Sequence, residues 1–303
     1  MIEARAAAGP ADVARHYDEL DPFYRALWGE HLHHGFWTRG DESPELAALA
    51  LVEEVAHRAG IAAGARVCDI GCGYGAPALL LAGRGAHVTG LTLSAAQHAH
   101  ASTRDAGGSR PVFLLRDWLD NRLPDESFDA AIAIESLAHM QDRPRALAEA
   151  LRVLRPGGRL VACVWLAGPD PTPWQVRHLL RPICEEGRLP ALPTAADYLE
   201  WTSAAGFTGV ALEDVSGRVA QTWAVCARRM ARGLLRHETW RYLLDRRNTE
   251  RGFALSVLRL WLAYRSGAMR YGILEARRPP PLPDASRAVN VQRTDLPPPH
   301  SDR

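Results

Sequence analysis

Asp69, Gly71, Gly73 and Gly75 alternate through the stretch Val67–Ala82, VCDIGCGYGAPALLLA. An apolar run enters three glycines and leaves as a helical pattern. Glycines at such a turn let backbone approach a ligand and leave helix N–H groups facing it. A dinucleotide, a nucleoside triphosphate and S-adenosylmethionine all suit a turn of this kind. The triphosphate loop needs a lysine, and the chain has none: its 36 Lys+Arg residues are all arginine. A nicotinamide site wants an acid at the end of the second strand for the ribose hydroxyls. The segment GLTLS puts Thr92 there. Asp69, just ahead of the glycines, can meet a cationic ligand end, and S-adenosylmethionine carries an ammonium and a sulfonium. The bland alternative is a tight glycine turn with no ligand.

Other residues carry chemistry by type and place. Glu135 closes the apolar run FDAAIAIE, where a carboxylate must be paired or functional. His139 follows one helical turn later, and either group can take a proton from a substrate. His31, His33 and His34 crowd the segment HLHH, but no carboxylates or thiolates stand at metal-ligand spacing, so no metal is expected. Five scattered cysteines without a CxxC pair read as reduced thiols. Lacking lysine, the chain cannot use Schiff-base or pyridoxal chemistry.

These residues need elements to hold them. ARVCDI, HVTGLTL, PVFLLR, FDAAIAIE and GRLVACVW read as short strands, with helical patterns between them. Such alternation predicts a parallel sheet covered on both faces. Ser43-Pro44 predicts a helix start, with Leu46, Leu49 and Val52 on one face and a stop at Gly60. Ser94 and Gln97 form a capping-box pattern, and Gly157-Gly158 mark the stop of the helix DRPRALAEALRVLRPGG. A helical run from Gln221 to Ser266, rich in aromatics, precedes a last strand, RYGILEARR. The domain plan is residues 1–60 as a helical lid and 61–278 as a core. Cap insertions fall near 167–195 and 221–266, and 279–303 form a disordered Pro-rich tail. At 303 residues with net charge +1, nothing favours a nucleic-acid partner. No signal peptide or membrane span is evident, and the longest apolar run, FALSVLRLWLA, is broken by Arg259. A soluble, cytoplasmic protein is expected.

The glycine motif resembles motif I of the class I S-adenosylmethionine-dependent methyltransferases, and further motifs follow in order. VTGLTLS resembles their second motif, LLRDWLDNRLPDESFDAAIAIESLAHM the adenine loop and fourth strand, and VLRPGGRLVACVW the turn into the fifth. HYDELDPFYRALWGEHLHHGFW and SGAMRYGILEARRP resemble the γ-tocopherol C-methyltransferases and related bacterial small-molecule methyltransferases. The resemblance runs from about His16 to Pro279. It implies a Rossmann-like α/β fold, with a mostly parallel seven-stranded sheet, helices on both faces and a helical cap. It further implies that Asp69, Gly71, Gly73 and Gly75 hold the methionine end of the cofactor. Thr92, Leu93 and Gln97 would line the ribose, and Asp117 and Trp118 the adenine, with Glu135 also beside the cofactor. Tyr17, Trp28, His34 and Trp37 would close as a lid, with His34, His139, Glu135 and Tyr17 as candidate catalytic residues. Leu137-Ala138 depart from the more polar residues of the tocopherol branch. The implied reaction is C- or O-methylation of a phenol, quinol or natural-product hydroxyl. A cofactor-binding cyclase or sensor, and N-methylation of an indole or amine, are the alternatives.

Overall fold

The computed structural model describes residues 1–5, 8–105, 107, 109–233 and 253–280. Strand β1 (Ile2–Glu3) and helices α1 (Pro10–Trp28) and α2 (Pro44–Ala59) come first. Strands and helices then alternate: β2 (Arg66–Ile70), α3 (Ala76–Gly83), β3 (His87–Thr92), α4 (Ala95–Ser102), β4 (Val112–Leu115), β5 (Phe128–Ile134), α5 (Arg143–Val153) and β6 (Leu154–Ala167). A helical passage follows, α6 (Pro173–Gln175), a π turn and α7 (Arg181–Glu186), leading to β7 (Ala191–Leu192), which pairs with β1. Next come α8 (Ala195–Ala204), β8 (Thr208–Asp214), α9 (Ser216–Val219) and α10 (Gln221–Gly233), then α11 (Phe253–Arg265) and β9 (Met269–Arg277).

Seven strands form one sheet in the order β4-β3-β2-β5-β6-β9-β8. Only β9 runs against its neighbours. Side chains alternate between two buried layers, which is why the strands read as continuous apolar runs. Val67, Ile132, Val161 and Cys163 face one cluster; Cys68, Ile70, Ala131, Ala133, Ala162 and Val164 face the other. Each fully buried Val, Leu or Ile contributes about 1.5–3 kcal/mol. All five cysteines are buried and unbridged. Among the described residues no helix is long and apolar enough to cross a membrane.

Several local expectations change. Ser43 caps α2 by accepting from the Leu46 N–H at 3.2 Å, and Gly60 stops it in the left-handed conformation. The buried face, however, is Ala48, Leu51, Val52, Val55 and Ala59, while Leu46 is 59% exposed. Steps of three drift around a helix with 3.6 residues per turn, so the 46-49-52 series starts outside the core at Leu46 and enters it at Val52. Leu51, Val52 and Val55 share a cluster with Val67 and Val161, so α2 belongs to the core layer and not to a lid over residues 1–60. Helix α5 ends at Val153, ahead of Gly157-Gly158. Arg155 precedes Pro156 and is pushed out of the helical region, so the strand begins first. Ser94 does cap α4, accepting from the Gln97 N–H at 3.1 Å, but the Gln97 amide turns to Thr92 and leaves the capping box half made. The expected run from Gln221 to Ser266 contains α10 and α11. Residues 234–252, with Trp240 and Tyr242, lie outside the described residues, as does the tail from 281.

Candidate active site

The chain leaves β2 at Ile70 and turns through Gly71, Gly73 and Gly75, all with positive φ. At Gly71 a Cβ would lie well inside van der Waals contact with Ser136, whose hydroxyl donates to the Ile70 carbonyl. Gly71→Ala should therefore cost about 2 kcal/mol of stability, from left-handed strain plus overpacking. A shift of the urea midpoint reads this loss, and an unchanged midpoint would show that the loop yields. Gly73 differs: a Cβ there meets nothing closer than the Gln97 amide nitrogen at 4.0 Å. That side is open to a cavity of about 220 Å³.

Asp69 borders this cavity and is 1% exposed, with Oδ2 buried and lacking a hydrogen-bond partner. Burial raises its pKa to about 7. An orphaned carboxylate beside an open glycine fits a ligand with a cationic end. Thr92, Leu93, Gln97, Asp117 and Trp118 line the same cavity. The Thr92 hydroxyl donates to Gln97 Oε1 at 2.9 Å. Asp117 accepts from the Leu119 N–H at 2.9 Å, and Trp118 donates its indole N–H to the Ala146 carbonyl at 3.0 Å. So Trp118 is fixed in the core, with its position set before any ligand arrives.

Beyond the tip of β5, Glu135 holds a positive φ of 65°. Its Oε1 accepts from the His34 backbone N–H (2.7 Å), the His34 ring Nδ1 (2.9 Å) and the Tyr271 hydroxyl (2.9 Å). Its Oε2 accepts from the Trp165 indole N–H at 3.0 Å. Burial by itself would raise the Glu135 pKa, but His34, donating from both ring and backbone, and the nearby His33 bring it down to about 2. With Nδ1–H given to the carboxylate, His34 Nε2 carries the lone pair, and that nitrogen is buried with no hydrogen-bond partner. Trp165, Trp223, Tyr264 and Tyr271 surround the ring at centroid distances of 5.6, 5.1, 5.5 and 4.7 Å.

Helix α1 forms another wall of the cavity through Val13, Tyr17, Tyr24 and Trp28. Asp18 accepts from Ser94 Oγ and from the Ala96 N–H at 3.1 Å, at the start of α4. Asp21 accepts from the Tyr74 hydroxyl at 2.8 Å, beside the glycine turn. Tyr17 Oη and His139 Nε2 are 2.7 Å apart. Burial, helped by the charge of nearby His16, lowers the His139 pKa to about 4. Trp37 is buried away from the cavity, its indole N–H donating to the Glu42 carbonyl at 3.1 Å. The ring nitrogens of His31 and His33 face each other at 3.0 Å.

The cavity thus gathers every sequence-proposed site residue except Gly75 and Trp37. Gly75 packs behind the turn, where a Cβ would meet Phe113 and Ala101. Sequence reasoning missed Trp165 and Tyr271 as partners of Glu135. A signal existed: Trp165 closes the candidate strand GRLVACVW and Tyr271 stands second in RYGILEARR. Antiparallel pairing sets those two residues directly opposite each other.

Residues 68–162 match a family model described as a methyltransferase domain. The 27-O-demethylrifamycin SV methyltransferase of Amycolatopsis mediterranei (strain S699) is 35% identical over 225 residues, 73% of this chain and 82% of that protein. The chain belongs to the class I S-adenosylmethionine-dependent methyltransferases, and S-adenosylmethionine is its cofactor. The chloroplastic tocopherol O-methyltransferase of Arabidopsis thaliana is 28% identical over 292 residues, 88% of this chain and 82% of that protein. Among solved structures, the [4+2]-cyclase SpnF superposes with a TM-score of 0.78 at 32% identity, covering 92% of this chain and all of that one. The cyclopropane synthase MmaA2 of Mycobacterium tuberculosis, at 22% identity and a TM-score of 0.77, shares the fold.

Proposed function

We propose that this enzyme methylates a hydroxyl group of an apolar small molecule, with His34 as the general base. One observation carries the reading: His34 has Nδ1 tied to the half-buried carboxylate of Glu135 and a lone pair on Nε2 with no partner, in the wall of the cavity. Bound S-adenosylmethionine supplies a methyl group on a sulfonium, which is intrinsically electrophilic. The chain then has to align a nucleophile, remove its proton and keep water out. Asp69 would pair with the cofactor's ammonium, and the open side of Gly73 would admit its backbone-contacting end, with Gly71 packed on Ser136 holding the turn. Thr92, Leu93 and Gln97 would contact the ribose, and Asp117 and Trp118 the adenine. Gly75 supports the turn from behind. Glu135 orients His34 and is not itself the base, because four donors occupy its oxygens.

Tyr17 and His139 form a second pair that bridges α1 to the core. We assign this pair to closing and shaping the cavity, since His139 already meets a hydroxyl and is a weak base. The lid is accordingly α1 with the segment through His34. Val13, Tyr24, Trp28, Ile183, Leu189, Trp223 and Leu260 make the acceptor end apolar. The names of the rifamycin and tocopherol relatives support O-methylation.

A second reading is cyclisation in the same cavity with the cofactor bound, favoured by the likeness to SpnF. Labelled-methyl transfer over phenols, quinols, indoles and glycosides separates the two. Label on neutral hydroxyl compounds, with one S-adenosylhomocysteine released per turnover, is the expected result. Acceptor conversion without label would establish the cyclase reading, and label confined to amines or indoles would move the reaction to nitrogen.

A further inference from the structure

We infer that Tyr271 and Trp165 are positioning residues, clamping the two oxygens of Glu135 so that His34 is held with Nδ1 on the carboxylate and Nε2 unpartnered. This rests on the assignment of His34 as base. The donor set itself argues for it. Three donors converge on Oε1 and one on Oε2. Only an acceptor-only group satisfies all four, since a glutamine would turn an NH2 toward one of these N–H or O–H groups. Packing alone would be met more cheaply by an uncharged side chain, because a buried carboxylate carries a desolvation cost. The positive φ of Glu135 adds strain at the same point, a cost that surrounding structure must hold in place.

The clamp has a simple construction. Trp165 and Tyr271 are directly opposed on β6 and β9, so their side chains leave the sheet on one face. The Glu135 backbone N–H donates to the Cys163 carbonyl at 3.0 Å, two residues before Trp165. Tyr271 is fixed in turn by its backbone N–H donating to Ser216 Oγ at 2.8 Å. The carboxylate is thereby held from two strands, and the imidazole from the carboxylate.

The groups facing this site from other elements stay neutral. Burial raises the Cys163 thiol to about 12 on β6, and raises the phenols of Tyr17 on α1, Tyr264 on α11 and Tyr271 on β9. Burial lowers the neighbouring His33. A hydroxyl donor spreads the charge of Glu135. Its removal concentrates that charge on His34 and favours the protonated ring, so the ring should titrate at higher pH.

The test needs no acceptor. In protein carrying 15N-labelled histidine, the His34 signals are identified by their loss in His34→Gln, and NMR reads tautomer and titration midpoint. Wild type should show the Nδ1–H tautomer. In Tyr271→Phe the midpoint should rise by roughly one pH unit. Trp165→Phe, at a half-buried position, should do the same and serves if the Tyr271 variant fails to fold. An unchanged tautomer and midpoint in a folded variant would overturn the inference. Activity then separates the two readings. With an acceptor from the transfer screen, Tyr271→Phe should lower kcat roughly tenfold at unchanged cofactor affinity. On a His34→Gln background it should cost less than twofold, because its effect runs through His34. Equal losses on both backgrounds would make Tyr271 merely structural. If NMR behaves as expected while His34→Gln keeps the wild-type rate, the clamp stands and the base assignment falls.

Discussion

His34→Gln should lower the rate of methyl transfer roughly 10²–10⁴-fold, the span of a lost general base. Glutamine is the informative replacement because its NH2 can still donate to Glu135 and keep the buried carboxylate satisfied. Alanine would leave that oxygen short of a donor and mix a stability loss of about 1–3 kcal/mol into the result. The glutamine enzyme should also lose the acid limb of its pH–rate profile, since no ring remains to be protonated. His139→Gln is the matched comparison. Its ring already meets Tyr17 and is held down to about 4 by burial, so its replacement should cost far less. The reverse ranking, with His139→Gln removing the acid limb, would transfer the proton step to the Tyr17–His139 pair.

Asp69→Asn should weaken S-adenosylmethionine binding roughly a hundredfold at pH 8, the scale of one charge-assisted contact in a dry site. The wild-type dependence on pH carries the sign. Burial raises the Asp69 pKa to about 7 in the free enzyme. A cationic ligand favours the ionised form, so below pH 7 binding must expel a proton. Affinity should fall by up to tenfold per pH unit there and level off above it. The asparagine variant should show no such slope. Folding responds in the opposite sense. A carboxylate raised above its unfolded value stabilises the fold at low pH, and that contribution is lost as pH rises from about 4 to about 7. Without cofactor, Asp69→Asn should therefore melt at a higher temperature than wild type at pH 8. Calorimetry and thermal unfolding read both effects. A slope-free wild type, or an asparagine variant of equal affinity, would return Asp69 to a structural role.

Local chemistry was legible in the sequence. Ser43, Gly60 and Ser94 cap helices because the groups they satisfy lie within a few residues. Asp69 and its glycines sit on one turn, so their spacing is visible in the sequence. The missed helix face of α2 and the early end of α5 come from weighing three-residue spacing and glycine above helical pitch and proline. Glu135 was recognisable as a buried carboxylate in need of partners. Their identity was not, because His34 lies 101 residues away and Tyr271 lies 136 away. The sheet's crossing order brings Tyr271 to Glu135, and the loop between α1 and α2 adds His34.

Strand β9 lies between β6 and β8, although both precede it in the chain. During synthesis, β6 and β8 therefore wait with unpaired edges until β9 has emerged. Exposed strand edges recruit other chains, so the nascent protein is most open to aggregation in that interval. The five parallel strands from β4 to β6 can assemble earlier and already include the glycine turn. Tyr271 arrives only with β9. Ligand-binding competence and proton-transfer competence should consequently mature at different times on the ribosome, with the second gained only when β9 inserts.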